Sequence, residues 1–521
     1  MPTSPAAPDS VTCDVAVIGA GINGAAVSLA LSRAGYRVLL LDQADIAAGT
    51  SQASTMLIWG GLLYLRHLDL RAILSLSRDR ERLVDEWPAL VAPQTLLYAP
   101  TDGLPSALVS AAMAAYWLLS AARRRRPQRR ARYPEQSLLA QPARQAYTLE
   151  EGALTESDAR FVLALVREAV ACGTHVRTYT RVDQLESDRT GTWHLGLTDT
   201  LNGTTATVSA RCIVNATGTG ADALNARAGI ETPWRHAFSR GVSLVLRRDP
   251  RHRHHLVVDS RIGDALTLAP WGPVAVWAST DTAHPERVGA ARVEPDDVRT
   301  LLDEYNRHFR PRRSAADVLS VRVGVRALPV PAAGVTTEVR GLTRHHRIHR
   351  DSHRPWVTIY GGKLSGCLGL GQQVTAEVAR AVRRASSVLR ADQGALCTSP
   401  GEADRRLFPG LDEPVVSPTW AVTHEYCRTL DDYLRRRTNI AQWVPRGGLG
   451  AHDEHAALLH GFAVEICGGD THRALEQLNH HRRMALETRQ ILDAVTASPE
   501  FPATGQHVAV PDVPLNRSER P

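Results

Sequence analysis

An apolar run rich in β-branched residues at 14–18 stops at Gly19, and apolar positions then recur at helical spacing over 25–34. A second apolar run, 37–41, ends in Asp42. This predicts strand, glycine turn, helix and strand in succession. Further on, the spacing predicts a helix over 70–87, with Arg78, Arg80, Glu81 and Arg82 on a solvated face. Helices are also predicted over 107–122 and 154–171, then a strand at 175–182. Segments 193–197 and 205–209 read as a hairpin around Asn202 and Gly203, and 212–216 as an apolar strand opening into Thr217 and Gly218. From 236 to 320 the pattern turns to strands, at 241–246, 266–271 and 274–280. Period-two alternation follows at 321–326. The strand 356–360 runs into Gly361, Gly362 and Lys363, and a helix follows. Helical spacing returns at 429–437, 456–467 and 472–494, before a proline-rich, polar tail predicted to be disordered.

The opening turn carries the first chemical signal. In Gly19-x-Gly21-x-x-Gly24 one glycine makes the tight turn, one admits a pyrophosphate to the backbone, and one lets helix and strand pack closely. The helix start presents free N–H groups to phosphate, and Asp42 stands where a ribose hydroxyl would be bound. The segment after Asp42 holds small hydroxyl residues, Thr50, Ser51 and Ser54, and a Gly60-Gly61 turn. An NAD domain would go directly to its third strand, and it would lack the late return at 212–218. Both features favour FAD. The candidate cofactor contacts are Gly19, Gly21, Ile22, Asn23, Gly24, Asp42, Thr50, Ser51, Ser54, Val182, Ala216, Thr217, Gly218, Gly362, Lys363, Leu364 and Ser365.

The expected fold class is α/β: a discontinuous Rossmann-like FAD-binding domain (11–105, 151–235 and 321–395), an antiparallel β-sheet substrate cap (236–320) and a C-terminal helical domain (400–498). An apolar and basic insertion occupies 106–150, and 499–521 is the tail. The insertion joins a 16-residue apolar stretch, 107–122, to an arginine run beginning at Arg123. It is too short to span a bilayer. Two readings stay open: an interfacial anchor on anionic lipid, or a helix packed on the body with a solvated charge run behind it.

The 521 residues, 43% hydrophobic and 22% charged, suit an ordinary globular protein of several domains. A net charge of +7 is weak support for nucleic-acid binding, and none is expected. The seven cysteines show no metal-ligand or disulfide spacing; no metal site is expected, and a reducing compartment fits. The N-terminus lacks a basic then apolar leader, so a cytoplasmic location, possibly membrane-associated, is the default. Lys363 is the single lysine in a chain otherwise using arginine. A compact ammonium at a glycine turn would stabilise negative charge on a reduced flavin. Arg322 and Arg326 share one face of their strand, pointing either into a cleft or along a surface ladder.

Several segments together resemble FAD-dependent glycerol-3-phosphate dehydrogenase, within the D-amino-acid-oxidase-like flavoproteins. They are 17–24, Thr50 to Ser54, 57–65, 214–218, Ser279 to Asp281, Gly324 to Pro329, Tyr360 to Leu364 and 431–438. The resemblance implies substrate over the flavin face and a hydride leaving the hydroxyl-bearing carbon. It also implies a quinone or other electron acceptor. By position it makes Arg326 the phosphate holder assisted by Arg344, with Tyr64 and Lys363 lining the pocket; Lys363, Tyr64 or His236 would act as base. Four positions depart from the family pattern: Trp59 for His, Leu63 for Arg, Ser243 for His and Met56 for Lys. Trp59, Leu63, Ser243, Arg326 and Arg344 are therefore the expected substrate contacts, and Arg326, Lys363 and Tyr64 the catalytic ones. The expected function is oxidation of glycerol 3-phosphate or a related polyol or hydroxy compound. The alternatives are an amine, amino acid or biosynthetic alcohol as substrate, or a non-catalytic flavin-binding role.

Overall fold

The computed structural model describes residues 11–62, 64, 68–100, 105–130, 132–141, 146–262, 265–284, 291–333, 339, 342, 345–382 and 399–497. The predicted tail and two predicted site residues, Leu63 and Arg344, lie outside the described residues.

Among those residues two large sheets form, of eight and ten strands. The first is mostly parallel. Val11–Ile18 lies between Val38–Leu41 and Thr205–Asn215, flanked in turn by His175–Arg177 and Trp356–Tyr360. Its strands read as near-continuous apolar runs because both faces are covered. On one face lie the helices Ile22–Arg33, Asp158–Ala171 and Cys367–Ala381, which share a core with the sheet through Leu29, Val162, Val166 and Val374. On the other, Trp193, Leu195 and Leu197 from the hairpin pack with Leu39, Leu41 and Leu224. The two segments 205–209 and 212–216 are one continuous strand. Its first half closes the hairpin with Trp193–Asp199, and its second half runs parallel to Val11–Ile18. The predicted strand 175–182 is broken, since Tyr179 takes a left-handed φ of 53° between His175–Arg177 and Thr180–Ser187.

The second sheet is mainly antiparallel and forms the cap. Its longest pairing joins Trp234–Arg247 to Val318–Pro331, with Ser239 opposite Arg326 and Ser243 opposite Arg322. The cap also takes strands from earlier in the chain: Leu57–Ile58, Val91–Ala99 and Ala146–Leu154. It is therefore not confined to 236–320. Helix Pro295–His308 starts with proline in its first turn and a Glu294/Asp297 capping box. It buries Val298, Leu301 and Leu302 against the sheet, and Trp277 donates its ring N–H to Leu301 O at 2.8 Å.

The helix over Leu70–Glu86 departs from its expected solvated face. Arg80 and Glu81 are buried, Arg80 being 1% exposed. Arg80 Nη1 donates to Glu151 Oε2 at 2.8 Å, and Glu81 pairs with Arg124 of the arginine run. Helix Ser106–Leu119 turns Val109, Met113 and Tyr116 inward, leaving Leu108 and Leu118 exposed. The C-terminal helices have their own core around Phe408, Tyr433, Leu459 and Phe462, and Leu492 and Val495 of the last helix enter the cap core. No helix among the described residues is long and apolar enough to cross a membrane.

Candidate active site

The cofactor side is built from backbone. Gly19 has φ +108°, and a Cβ there would lie 2.5 Å from Ala216 O; one on Gly24 would lie 1.7 Å from Gly19 O. No side chain fits at either point, so the turn can pack against Ala216 and Thr217 only as glycine. Ser51 Oγ accepts the Ile22 N–H at 2.9 Å, bringing the hydroxyl loop onto the start of helix Ile22–Arg33. Asp42 accepts the Ala20 and Ala44 N–H groups at 2.6 and 2.9 Å. Burial nevertheless pushes its carboxyl above the usual range, with those two N–H groups pulling the other way. Ser54 Oγ accepts the Met56 N–H, a loop contact. Val182 packs beneath Leu39 and Leu41, and its carbonyl accepts from Arg227 at 2.7 Å.

The second glycine turn meets the first. Gly361 and Gly362 both have positive φ, and Asn23 Nδ2 donates to Gly361 O at 2.8 Å. A Cβ on Gly362 would overlap Asn23 Oδ1, which is buried without a hydrogen-bond partner. A buried acceptor without a donor, facing two glycine turns, fits a bound group that brings its own N–H or O–H. Leu364 packs on the parallel-sheet core and Ser365 is buried, so these two face inward from the turn.

The cap strand Val318–Pro331 forms the opposing wall. It is gripped at two points. Thr50 Oγ1 donates to Val325 O at 2.5 Å, and a Cβ on Gly361 would stand 2.9 Å from Pro329 Cδ. Arg326 therefore sits on the strand between the hydroxyl loop and the lysine turn. Its Nη2 donates to Ser279 Oγ at 2.7 Å, and its Nη1 to Thr280 O at 3.1 Å and Ser239 Oγ at 3.3 Å. Asp281 Oδ1 is 3.4 Å away, and the side chain remains 24% exposed. Gly241 makes this possible, since a Cβ there would lie 2.3 Å from Arg326 Nη2. Arg322, on the same face, does something different. It is buried, donates to Asp158 Oδ2 at 2.7 Å and stacks over Trp271. Asp158 also accepts the Ser54 N–H, so this pair pins the hydroxyl loop to the cap.

Lys363 Nζ donates to the Tyr64 hydroxyl and lies 4.3 Å from the centroid of that ring. Tyr64 in turn packs against His345, whose Nε2 is 2.9 Å from Asp69 Oδ2. Trp59 is half-buried against the cluster holding Ile73, Tyr116 and Tyr147. The next residue, Gly60, is tied on both sides. Its N–H donates to Glu151 Oε2 at 2.8 Å, and its carbonyl accepts from Ser77 Oγ at 2.9 Å. Ser243 lies on the face shared with Arg326 but is only 2% exposed, beside Arg322. Met56, with φ +58°, is buried against Arg322. His236 Nε2 accepts the Gly361 N–H at 3.2 Å, which leaves its Nδ1 facing Asp222. It braces the back of the turn.

The structure thus pairs Lys363 with Tyr64 and sets Arg326 on the cap strand whose Val325 meets Thr50 and whose Pro329 meets the Gly361 turn. Asp158, Glu151, Ser239 and Ser279 go beyond the sequence-predicted site. Ser279 stood in a segment that carried the resemblance, and Asp158 follows the N-cap Ser157; Glu151 and Ser239 had no local signal.

A parallel sheet with a glycine turn at its first strand end, capped by an antiparallel sheet, defines a dinucleotide-dependent oxidoreductase. Residues 14–366 match the family of FAD dependent oxidoreductases termed DAO, and the chain belongs to that family, whose cofactor is FAD. Glycerol-3-phosphate dehydrogenase of Pseudomonas aeruginosa is 27% identical over 368 residues, 70% of each chain. D-Erythritol 1-phosphate dehydrogenase of Brucella abortus is 28% identical over 362 residues, 68% of this chain and 71% of that one. In architecture the chain is similar to the FAD complex of glycerol-3-phosphate dehydrogenase from Bacillus halodurans. The TM-score is 0.67 at 19% identity, covering 94% of this chain and 96% of the other.

Proposed function

We propose that the protein is an FAD-dependent dehydrogenase that oxidises a hydroxyl-bearing carbon of a polyol phosphate, glycerol 3-phosphate or a four-carbon analogue. The observation carrying this is Arg326: a partly exposed guanidinium, oriented by Ser279 and Thr280 and set between the Thr50 loop and the Lys363 turn. A guanidinium held in one plane matches two oxygens of a phosphate. FAD, when bound, supplies the hydride acceptor. The chain's own part is to hold the substrate anion at Arg326 and to take the hydroxyl proton at the Tyr64–Lys363 pair as the carbon becomes a carbonyl. Lys363 Nζ, donating to the Tyr64 oxygen, holds that pair together. The electrons then leave to a quinone or another acceptor. The exposed Leu108 and Leu118, with the exposed Arg123 and Arg125 after them, support delivery at an anionic membrane surface.

A second reading is oxidation of an unphosphorylated carboxylate compound, a hydroxy acid or an amino acid. Asp281 beside Arg326 favours it, because it offsets part of the charge a phosphate dianion would require. Anaerobic bleaching of the yellow holoprotein separates the two. Reduction by glycerol 3-phosphate or a tetritol phosphate supports the first. Reduction only by hydroxy or amino acids transfers the assignment to the second, and no bleaching by any member leaves a non-catalytic flavoprotein.

A further inference from the structure

We infer that Arg436 and Arg437 of the C-terminal helical unit are positioning residues for FAD, acting through the loop that joins Asp42 to Ser54. This loop carries Asp42, Thr50 and Ser51, and in its middle stands Asp45, a fully buried carboxylate. An acid at that place opposes a diphosphate and raises its neighbour Asp42. It is neutralised from outside the cofactor domain. Arg437 Nη1 and Nη2 donate to the two Asp45 oxygens, both at 2.7 Å, and Arg436 Nε donates to Asp45 Oδ2 at 2.6 Å. Burial disfavours the Asp45 carboxylate, but the two guanidiniums outweigh it and hold its pKa below the ordinary value.

Arg436 also reaches along the loop, since its Nη1 donates to Gln52 Oε1 at 3.1 Å. Gln52 Nε2 then donates to Ala48 O at 2.5 Å, closing the turn that presents Thr50 and Ser51. The loop needs such a brace. Ala47 has a left-handed φ of 62°, a conformation an alanine leaves unless it is held. Asp431 and Asp432 fix Arg436 from behind at 2.7 and 2.8 Å, and Tyr179 donates to Asp432 at 2.6 Å. Asp431, Asp432, Arg436 and Arg437 lie beyond the stretch 14–366 matched by the family, so cofactor grip depends on a unit outside the cofactor domain.

FAD affinity tests this, measured by fluorescence titration of the deflavinated full-length protein, together with the melting temperatures of the apo and FAD-loaded forms. Gln52→Ala, which strands no buried charge, is expected to weaken FAD roughly tenfold, and Arg436→Lys by at least as much, while apo melting changes little. Leu478→Ala, an apolar truncation in the C-terminal core that removes none of these hydrogen bonds, serves as the comparison. It should lower melting and leave FAD affinity within about twofold. If Leu478→Ala loosens FAD as strongly as Gln52→Ala, or if Gln52→Ala and Arg436→Lys lower apo and loaded melting together at unchanged affinity, the arginines are merely structural and the inference fails.

Discussion

The two walls of the cleft are made differently. The cofactor floor consists of backbone placed where no side chain fits: Gly19 against Ala216, Gly24 against Gly19, Gly362 against Asn23. The facing wall, proposed for the substrate, is set by side chains far apart in sequence: Ser279 and Thr280 hold Arg326, and Glu151 holds the Gly60 backbone beside Trp59. A backbone site tolerates almost no substitution and so keeps its ligand. A side-chain site can be retuned one residue at a time. Within one family this permits a fixed cofactor and a variable substrate.

The largest expected effect comes from breaking the floor. Gly24→Ala would place a methyl 1.7 Å from Gly19 O, and the purified protein should be colourless, with no FAD retained through gel filtration. Next comes the support behind the wall. Glu151→Ala leaves Glu81 as the one carboxylate on Arg80 among the described residues and removes the acceptor of the Gly60 N–H. A loss of about 3–5 kcal/mol in stability is expected from denaturant unfolding. Arg326→Ala should then reduce kcat/KM for the bleaching substrate by roughly a hundredfold, the loss of about 3 kcal/mol of charge-assisted bonding, with the flavin spectrum unchanged. The smallest effect per residue, counted for one pH unit, is on pH. His252 and His255, buried in the cap, have pKa values lowered from 6.5 to about 4 and about 3 by desolvation. The unfolded chain takes up these protons first, so the cap is most stable above pH 6.5. It should lose about 1.4 kcal/mol per pH unit for each histidine as pH falls from there towards 4. Melting curves between pH 7 and 5 should slope accordingly, and His252→Gln should flatten them.

The same contrast explains what was legible in the sequence. Glycines forced by steric contact announce themselves, so the strand, turn, helix and second strand from residue 14 to Asp42 read directly, as did Lys363 beside its glycine turn. Charged residues whose partners are distant did not. Arg80 stood among other charges on an amphipathic helix and was expected in solvent, yet its acceptor Glu151 comes from a cap strand, Ala146–Leu154. Arg322 and Arg326 looked equivalent at a period of two, and only the fold separates them, one buried on Asp158 and one 24% exposed beside Asp281. The break at Tyr179 had no local signal, because tyrosine does not favour a left-handed φ.

The order of strands in the parallel sheet also governs when the protein can be completed during synthesis. Val11–Ile18 emerges first, but its neighbour on one side is Thr205–Asn215, whose own outer neighbour is Trp356–Tyr360. Until the ribosome has passed that last strand and the lysine turn behind it, the first βαβ unit carries an open, apolar edge and half a nucleotide grip. Long-range parallel pairing of this kind is slow and leaves the nascent chain exposed to misassociation. The two glycine turns, at 19–24 and 361–362, can therefore meet only once synthesis has passed the strand Trp356–Tyr360.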